Sequence, residues 1–148
     1  MYELKIPTRR IAAQLLTTRG GRSGELFLAP TAHPGEGPEQ VLETLNDERA
    51  FLPFCDQDAP HRPCVVNKHH VLCVRVTGCE SPDPPPGTDG PHTLTLSGGH
   101  RINGRILVDS PPSASRLVDK LNRCGRFALV AGTDALYFVQ LEHIVAVE

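Results

Sequence analysis

Val65-Val-Asn-Lys-His-His-Val-Leu-Cys-Val74 and Phe138-Val-Gln-Leu-Glu-His-Ile-Val-Ala-Val147 decide how this chain reads. Laid one on the other, they place His70 on His143 inside two otherwise apolar runs. Three further blocks match in the same order. Gly24-Glu-Leu-Phe-Leu28 falls on Gly104-Arg-Ile-Leu-Val108, Val41-Leu-Glu-Thr-Leu-Asn46 on Leu117-Val-Asp-Lys-Leu-Asn122, and Phe51 on Phe127. The offset changes only where loops are expected. Ordered self-similarity of this kind is the mark of an internal repeat.

Each copy predicts the same elements. Ile11 to Thr18 and Glu25 to Leu28 read as strands about the turn Gly20-Gly21. Thr93 to Leu96 and Arg105 to Val108 do the same about Gly98-Gly99. Double glycines supply the positive φ that tight hairpins require. A proline-containing loop follows in each, Pro30 to Pro38 and Pro111-Pro112. A short helix comes next. Pro38 suits a first helical turn and Glu39 lies near the positive helix end. Val41, Leu42 and Leu45 make the apolar face of the first helix. Leu117, Val118 and Leu121 make that of the second, with Ser113 or Ser115 as its cap. A third strand follows at Ala50 to Phe54 or Phe127 to Val130. A closing hairpin has its tip near Asn67-Lys68 or Gln140-Leu141. The expected fold is therefore mainly β with short helices (α+β). Two diverged β-β-α-β-β repeats form small barrels or one pseudo-symmetric sheet assembly.

Composition agrees. The chain has 148 residues with no Trp, 2 Tyr and 5 Phe, so the core must be aliphatic. Its 14 Pro and 13 Gly call for short elements and many turns. No run approaches the roughly 20 apolar residues that cross a bilayer. Met1-Tyr-Glu-Leu-Lys-Ile-Pro lacks a charged-then-apolar leader pattern. The 5 cysteines are an odd set without the dense spacing of a secreted disulfide framework. A soluble cytoplasmic protein without membrane contact is the expectation. Residues 1–77 form repeat one, 78–91 a proline-rich acidic linker favouring extended backbone, and 92–148 repeat two.

Val66-Asn-Lys-His-His-Val71 resembles the Asn-Lys-x-His-[Val/Ile] strand of uncharacterised bacterial domains. In those domains a Gly-containing hairpin and a Leu-x-x-Leu-Asn-like helix precede that strand. The order of elements is also similar to the Sm-like and SH3-like small barrels. That likeness implies short bent strands around an aliphatic core, and an oligomeric or RNA-binding role. The second copy has Gln140-Leu141 where the pattern has Asn-Lys.

Catalysis and cofactors find little support. Cys55, Ser23 and Ser97 sit in no nucleophile elbow with a base and an orienting group. Gly20-Gly21-Arg-Ser-Gly24 lacks the Gly-Lys-[Ser/Thr] ending of a phosphate loop and the helix that would follow it. His61, Cys64, His69, His70, Cys73 and Cys79 crowd one stretch, but without a Cys-x-x-Cys pair. On a strand His69 and His70 would face opposite ways. The reading is no enzyme, no cofactor and no metal. His70 and His143 read as structural histidines bonded to a neighbouring loop. Arg19, Arg22, Lys68, His69 and Arg101 are the candidate ligand or RNA contacts. A net charge of −2 and few exposed aromatics keep RNA binding an alternative.

Net charge is 0 in repeat one, −3 in the linker and +1 in repeat two. On the helices it is patterned. Glu39, Glu43 and Asp47 form an acidic stripe on the first helix, and Arg116, Lys120 and Arg123 a basic stripe on the second. Opposite stripes on matching elements suggest head-to-tail pairing within or between chains. The expected role is a non-enzymatic protein–protein interaction or assembly module, a ring- or scaffold-forming subunit with a protein partner or further copies of itself. The alternatives are an RNA-binding Sm-like small barrel and a regulatory small-ligand-binding domain.

Overall fold

The computed structural model describes residues 9–28, 37–108 and 116–148. The first half contains β1 (Arg10–Thr17), β2 (Gly20–Phe27), α1 (Pro38–Asn46), β3 (Phe51–Asp56), β4 (Cys64–Asn67) and β5 (Val71–Val76). The second contains β6 (His92–Leu96), β7 (Arg101–Leu107), α2 (Leu117–Arg123), β8 (Phe127–Ala131), β9 (Leu136–Gln140) and β10 (Ile144–Val147). The strands make one open antiparallel sheet in the order β10-β6-β7-β8-β9-β5-β1-β2-β3-β4. The protein is therefore mainly β with short helices. Among the described residues no helix is long and apolar enough to cross a membrane.

Alternating burial makes the strands. In β1, Ala13 and Leu15 turn inward while Ala12 and Gln14 stay out, the period of a half-buried strand. Gly24 of β2 and Gly104 of β7 have no room for a side chain. A Cβ on Gly104 would come 2.6 Å from the Ala131 carbonyl oxygen, and one on Gly24 would collide with the Cys55 carbonyl. Pro38 opens α1 as expected, and Val41 and Leu45 are its buried face. Ser113, Ser115 and the proline loops at 30–36 and 111–112 lie outside the described residues. The residue at the N-cap of α2 is Arg116, which makes no side-chain cap.

Two local expectations are corrected. Gly20-Gly21 is not the first turn: both lie in β2, and Thr18-Arg19 form the tip, closed by Thr17 Oγ1 donating to the Gly20 carbonyl at 2.8 Å. Gly98 and Gly99 do turn the second hairpin, with φ of +84° and +86°. The closing hairpins are absent as well. A 3-10 turn at Lys68–His70 separates β4 from β5, so β4 pairs only with β3 while β5 crosses to β1. Leu141–His143 does the same between β9 and β10. Each half thus holds five strands rather than the four of β-β-α-β-β. Asn67 fixes its turn by accepting the His69 backbone N–H at 3.0 Å. His69 and His70 lie in this turn, not on a strand.

The core has two centres, and each takes residues from both halves. Beneath α1, Leu15, Leu26, Leu52 and Phe54 pack with Phe127, Leu129 and Phe138. Beneath α2, Leu94, Leu96 and Ile106 pack with Leu72 and Cys73, and Leu117 and Leu121 close over them. Residues 77–91 contain no strand or helix. Their Gly87 carbonyl accepts the Lys120 Nζ at 2.6 Å, which holds this segment against α2.

Candidate assembly interface

The halves meet where β5 pairs antiparallel with β9, Cys73 opposite Val139 and Val74 opposite Phe138. Apolar burial there is complete: Leu72, Val74, Phe127, Phe138 and Val139 are at most 2% exposed. Polar groups fix the register. Asn46, the last residue of α1, accepts the Phe127 backbone N–H at 2.7 Å and donates Nδ2 to the Phe127 carbonyl at 3.1 Å. Gln140 Nε2 reaches across to the carbonyls of Lys68 and Val71 at 2.7 and 2.6 Å. His143 Nε2 meets the His69 carbonyl at 2.8 Å, and His69 pairs with Glu142 at 2.8 Å. This seam is head to tail, since the fourth strand of one half joins the fifth strand of the other.

At the two ends of the sheet, β4 pairs with β3 and β10 with β6, and among the described residues neither has a neighbour on its outer side. Unpaired backbone N–H and C=O groups on such edges are templates for a further strand. Large apolar side chains stand beside them: Val65 on β4 is 67% exposed, Val145 on β10 69%, and Phe51 on β3 53%. Val118 on α2 is the other large exposed apolar residue among those described, at 53%. A groove of about 540 Å³ lies between β4 and the tip of the first hairpin, lined by Arg19, Arg22, Val65, Asn67 and His70 among others.

The charge stripes do not survive as drawn. Asp47 caps the C-terminus of α1 and binds Lys68 Nζ at 2.7 Å and Arg49 at 2.8 Å. Lys120 is buried and spent on Gly87, while Arg116 pairs with Asp119 on its own helix at 3.0 Å. Glu39, Glu43 and Arg123 remain exposed. Thr44 in α1 and Lys120 at the matching position of α2 are both buried, which takes Lys120 out of the stripe. Lys68, expected as a surface contact, is fully buried. Its ammonium donates to Thr44 O at 2.9 Å, so it is not open to RNA.

Arg19 sits exposed at the tip of the first hairpin. Arg22 pairs with Asp56 at 3.2 Å. Arg22 and Arg101 come together with Arg75, Ser23 and Tyr137 around a cavity of about 340 Å³ beside the seam. His70 Nδ1 lies 3.2 Å from Thr18 Oγ1, and His143 Nδ1 lies 3.4 Å from Ser97 Oγ, each histidine bonded to the neighbouring hairpin. Asn46 and Gln140 are functional positions that sequence reasoning missed. Their only signal was a polar amide ending an apolar block in both copies.

The five cysteines are free thiols. Among the described residues no three of His, Cys, Asp and Glu gather to hold a metal. Burial pushes the Cys73 thiol up to about 11, and the Cys124 thiol likewise to about 11. At about pH 8 roughly one such thiol in a thousand is thiolate, the reactive form. Maleimide labelling followed by peptide mass analysis is expected to miss Cys73 and Cys124 in the native protein and reach both in denaturant. Native labelling at the denatured rate would show that β5 and the end of α2 open readily.

No protein-family model, no curated protein and no solved structure matches this chain.

Proposed function

We propose that this chain is a non-enzymatic assembly module, built from a duplicated unit and able to extend by adding further units head to tail. One observation carries the reading: the β5–β9 seam already joins the fourth strand of one half to the fifth of the other. Repetition of that contact between chains yields a scaffold, or a ring where the rotation closes. Three chains would supply six units, as in the small-barrel rings the sequence resembles.

The duplication rests on register. With Gly24 set on Gly104, the pair Ala13–Gly24 matches His92–Gly104, and Leu26–Phe54 matches Ile106–Val130. Phe51–Asn67 matches Phe127–Gln140, and Leu15–Val74 matches Leu94–Val147. Even the irregularity between Leu16 and Thr17 recurs at Ile144 to Ala146, against Thr95 and Leu96. Backbone bonds repeat too: Lys68 N to Ala50 O and Leu141 N to Arg126 O, at 2.9 and 3.0 Å. Two unrelated hairpins have no reason to share all of these.

Strand pairing and apolar burial, rather than helix charge, drive association in this reading, so salt should matter little. Light scattering at micromolar protein is expected to give one discrete multiple of the chain mass for a closed ring, or multiples that grow with concentration for an open scaffold, unchanged between low and high salt. A monomer under both conditions would end the assembly reading.

A further inference from the structure

We infer that the partner of this chain is a second copy of itself, whose β10 adds to the free β4 edge in a register already written in the internal seam. The inference rests on the assembly reading and names its partner and geometry. The seam supplies the template. β5 and β9 pair with Cys73 opposite Val139, Val74 opposite Phe138 and Arg75 opposite Tyr137. Carried through the correspondence of the halves, β5 becomes β10 and β9 becomes β4. Ala146 of one chain then faces Val66 of the next, Val147 faces Val65, and Glu148 faces Cys64.

The exposed apolar residues fall where this requires. Each of the four stands at a position whose counterpart is covered inside the chain. Phe51 answers to Phe127, Val65 to Phe138 and Val145 to Leu72, and these counterparts are at most 2% exposed. Val118 answers to Leu42, which is packed against the core. An exposed set chosen at random would not map so consistently onto a buried seam. The apolar face of a strand edge left bare in an isolated chain is the face a joining strand covers.

Polar matching points the same way. Asn46 grips the Phe127 backbone from the end of α1, and its counterpart Asn122, exposed near the end of α2, is free to grip the Phe51 backbone of the next chain. His143 meets the His69 carbonyl in the seam. Its counterpart His70 would meet the Glu142 carbonyl of the added copy. The contact is heterologous: β4 and β10 are different surfaces, so each chain offers one of each.

That asymmetry gives the decisive experiment. Val65→Lys spoils the β4 edge and leaves β10 whole, and Val145→Lys does the reverse. Both side chains are solvent-facing in the single chain, so each variant should keep the wild-type circular dichroism and a single cooperative melt, lowered only by the stabilisation that assembly adds. Each alone is expected to be monomeric by light scattering, and an equimolar mixture to form a dimer of one chain of each. Two variants that stay as large as the wild type would overturn this geometry while leaving the assembly reading intact. A mixture that remains monomeric would overturn it as well, since a head-to-tail contact must be rescued. A wild-type protein that is itself monomeric would remove both.

Discussion

Lys68→Met is expected to destabilise the fold by about 3 kcal/mol, because it removes one partner of a buried ion pair. The Lys68 side chain is fully buried, and its ammonium holds three acceptors at the end of α1. These are the Thr44 carbonyl at 2.9 Å, the Asp47 carbonyl at 3.4 Å and Asp47 Oδ1 at 2.7 Å. The last carbonyls of a helix lack intrahelical donors and carry partial negative charge, so a cation here both satisfies and neutralises them. Methionine keeps the apolar stem and supplies none of this. Asp47 is one-quarter exposed and recovers some hydration, which holds the loss near the lower end of the range for broken buried pairs.

The same pair sets a pH signature. Partial burial pushes the Asp47 carboxyl up, but hydrogen bonds from Arg49 and Lys68 outweigh it and hold the group below its ordinary 3.8. Its stabilising contribution is present above 3.8 and is lost as pH falls through the native value. Burial pulls the Lys68 ammonium below its ordinary 10.5, only partly opposed by Asp47. Between the native value and 10.5 the unfolded chain holds the extra proton, so stability rises with pH in that window. The difference between wild type and Lys68→Met should therefore narrow on the acid side and widen on the alkaline side. Urea titrations across pH measure it. A loss below about 1 kcal/mol at neutral pH, or a difference flat with pH, would mean that Lys68 is no buried cap.

Much of this architecture is legible in the sequence. The apolar spacing of Val41 and Leu45, the proline at 38 and the alternation of β1 follow from local rules, and they are where those rules put them. The break between β4 and β5 is not legible. Apolar runs flanking Asn67-Lys68 read as a hairpin, and only the distant partners β3 and β1 decide otherwise. Lys68 shows a signal missed: the alignment of the halves sets it against Leu141, an apolar residue that is itself half-buried. Lys120 is set against Thr44, and both are buried although neither residue type announces it. The edges are harder still. Val65 and Phe138, or Leu72 and Val145, look alike as residues. Their burial differs only because one strand of each pair has a neighbour.

Phe138→Ala turns that difference into the second large effect, an expected loss of about 3–5 kcal/mol. Phe138 is fully buried in β9, opposite Leu129 on one side and Val74 of the other half on the second. Truncation removes a ring from the region where the halves share one core, and the flanking strands are too well paired to close the cavity. Val65, its counterpart on β4, is two-thirds exposed and should lose less than about 0.5 kcal/mol on truncation. Measuring both in the Val145→Lys background, which should not assemble, isolates the single chain. Denaturant unfolding there should show a single cooperative transition, since the shared core couples the halves. A loss of under about 1.5 kcal/mol for Phe138→Ala, or two separate transitions, would mean that the halves fold independently and the seam is a loose contact. With the wild-type edges restored, Val65→Ala should instead lower the mass or raise the concentration needed for assembly. The same substitution would then be silent in the fold and costly in the contact, the pattern required of a strand whose proper neighbour belongs to another chain.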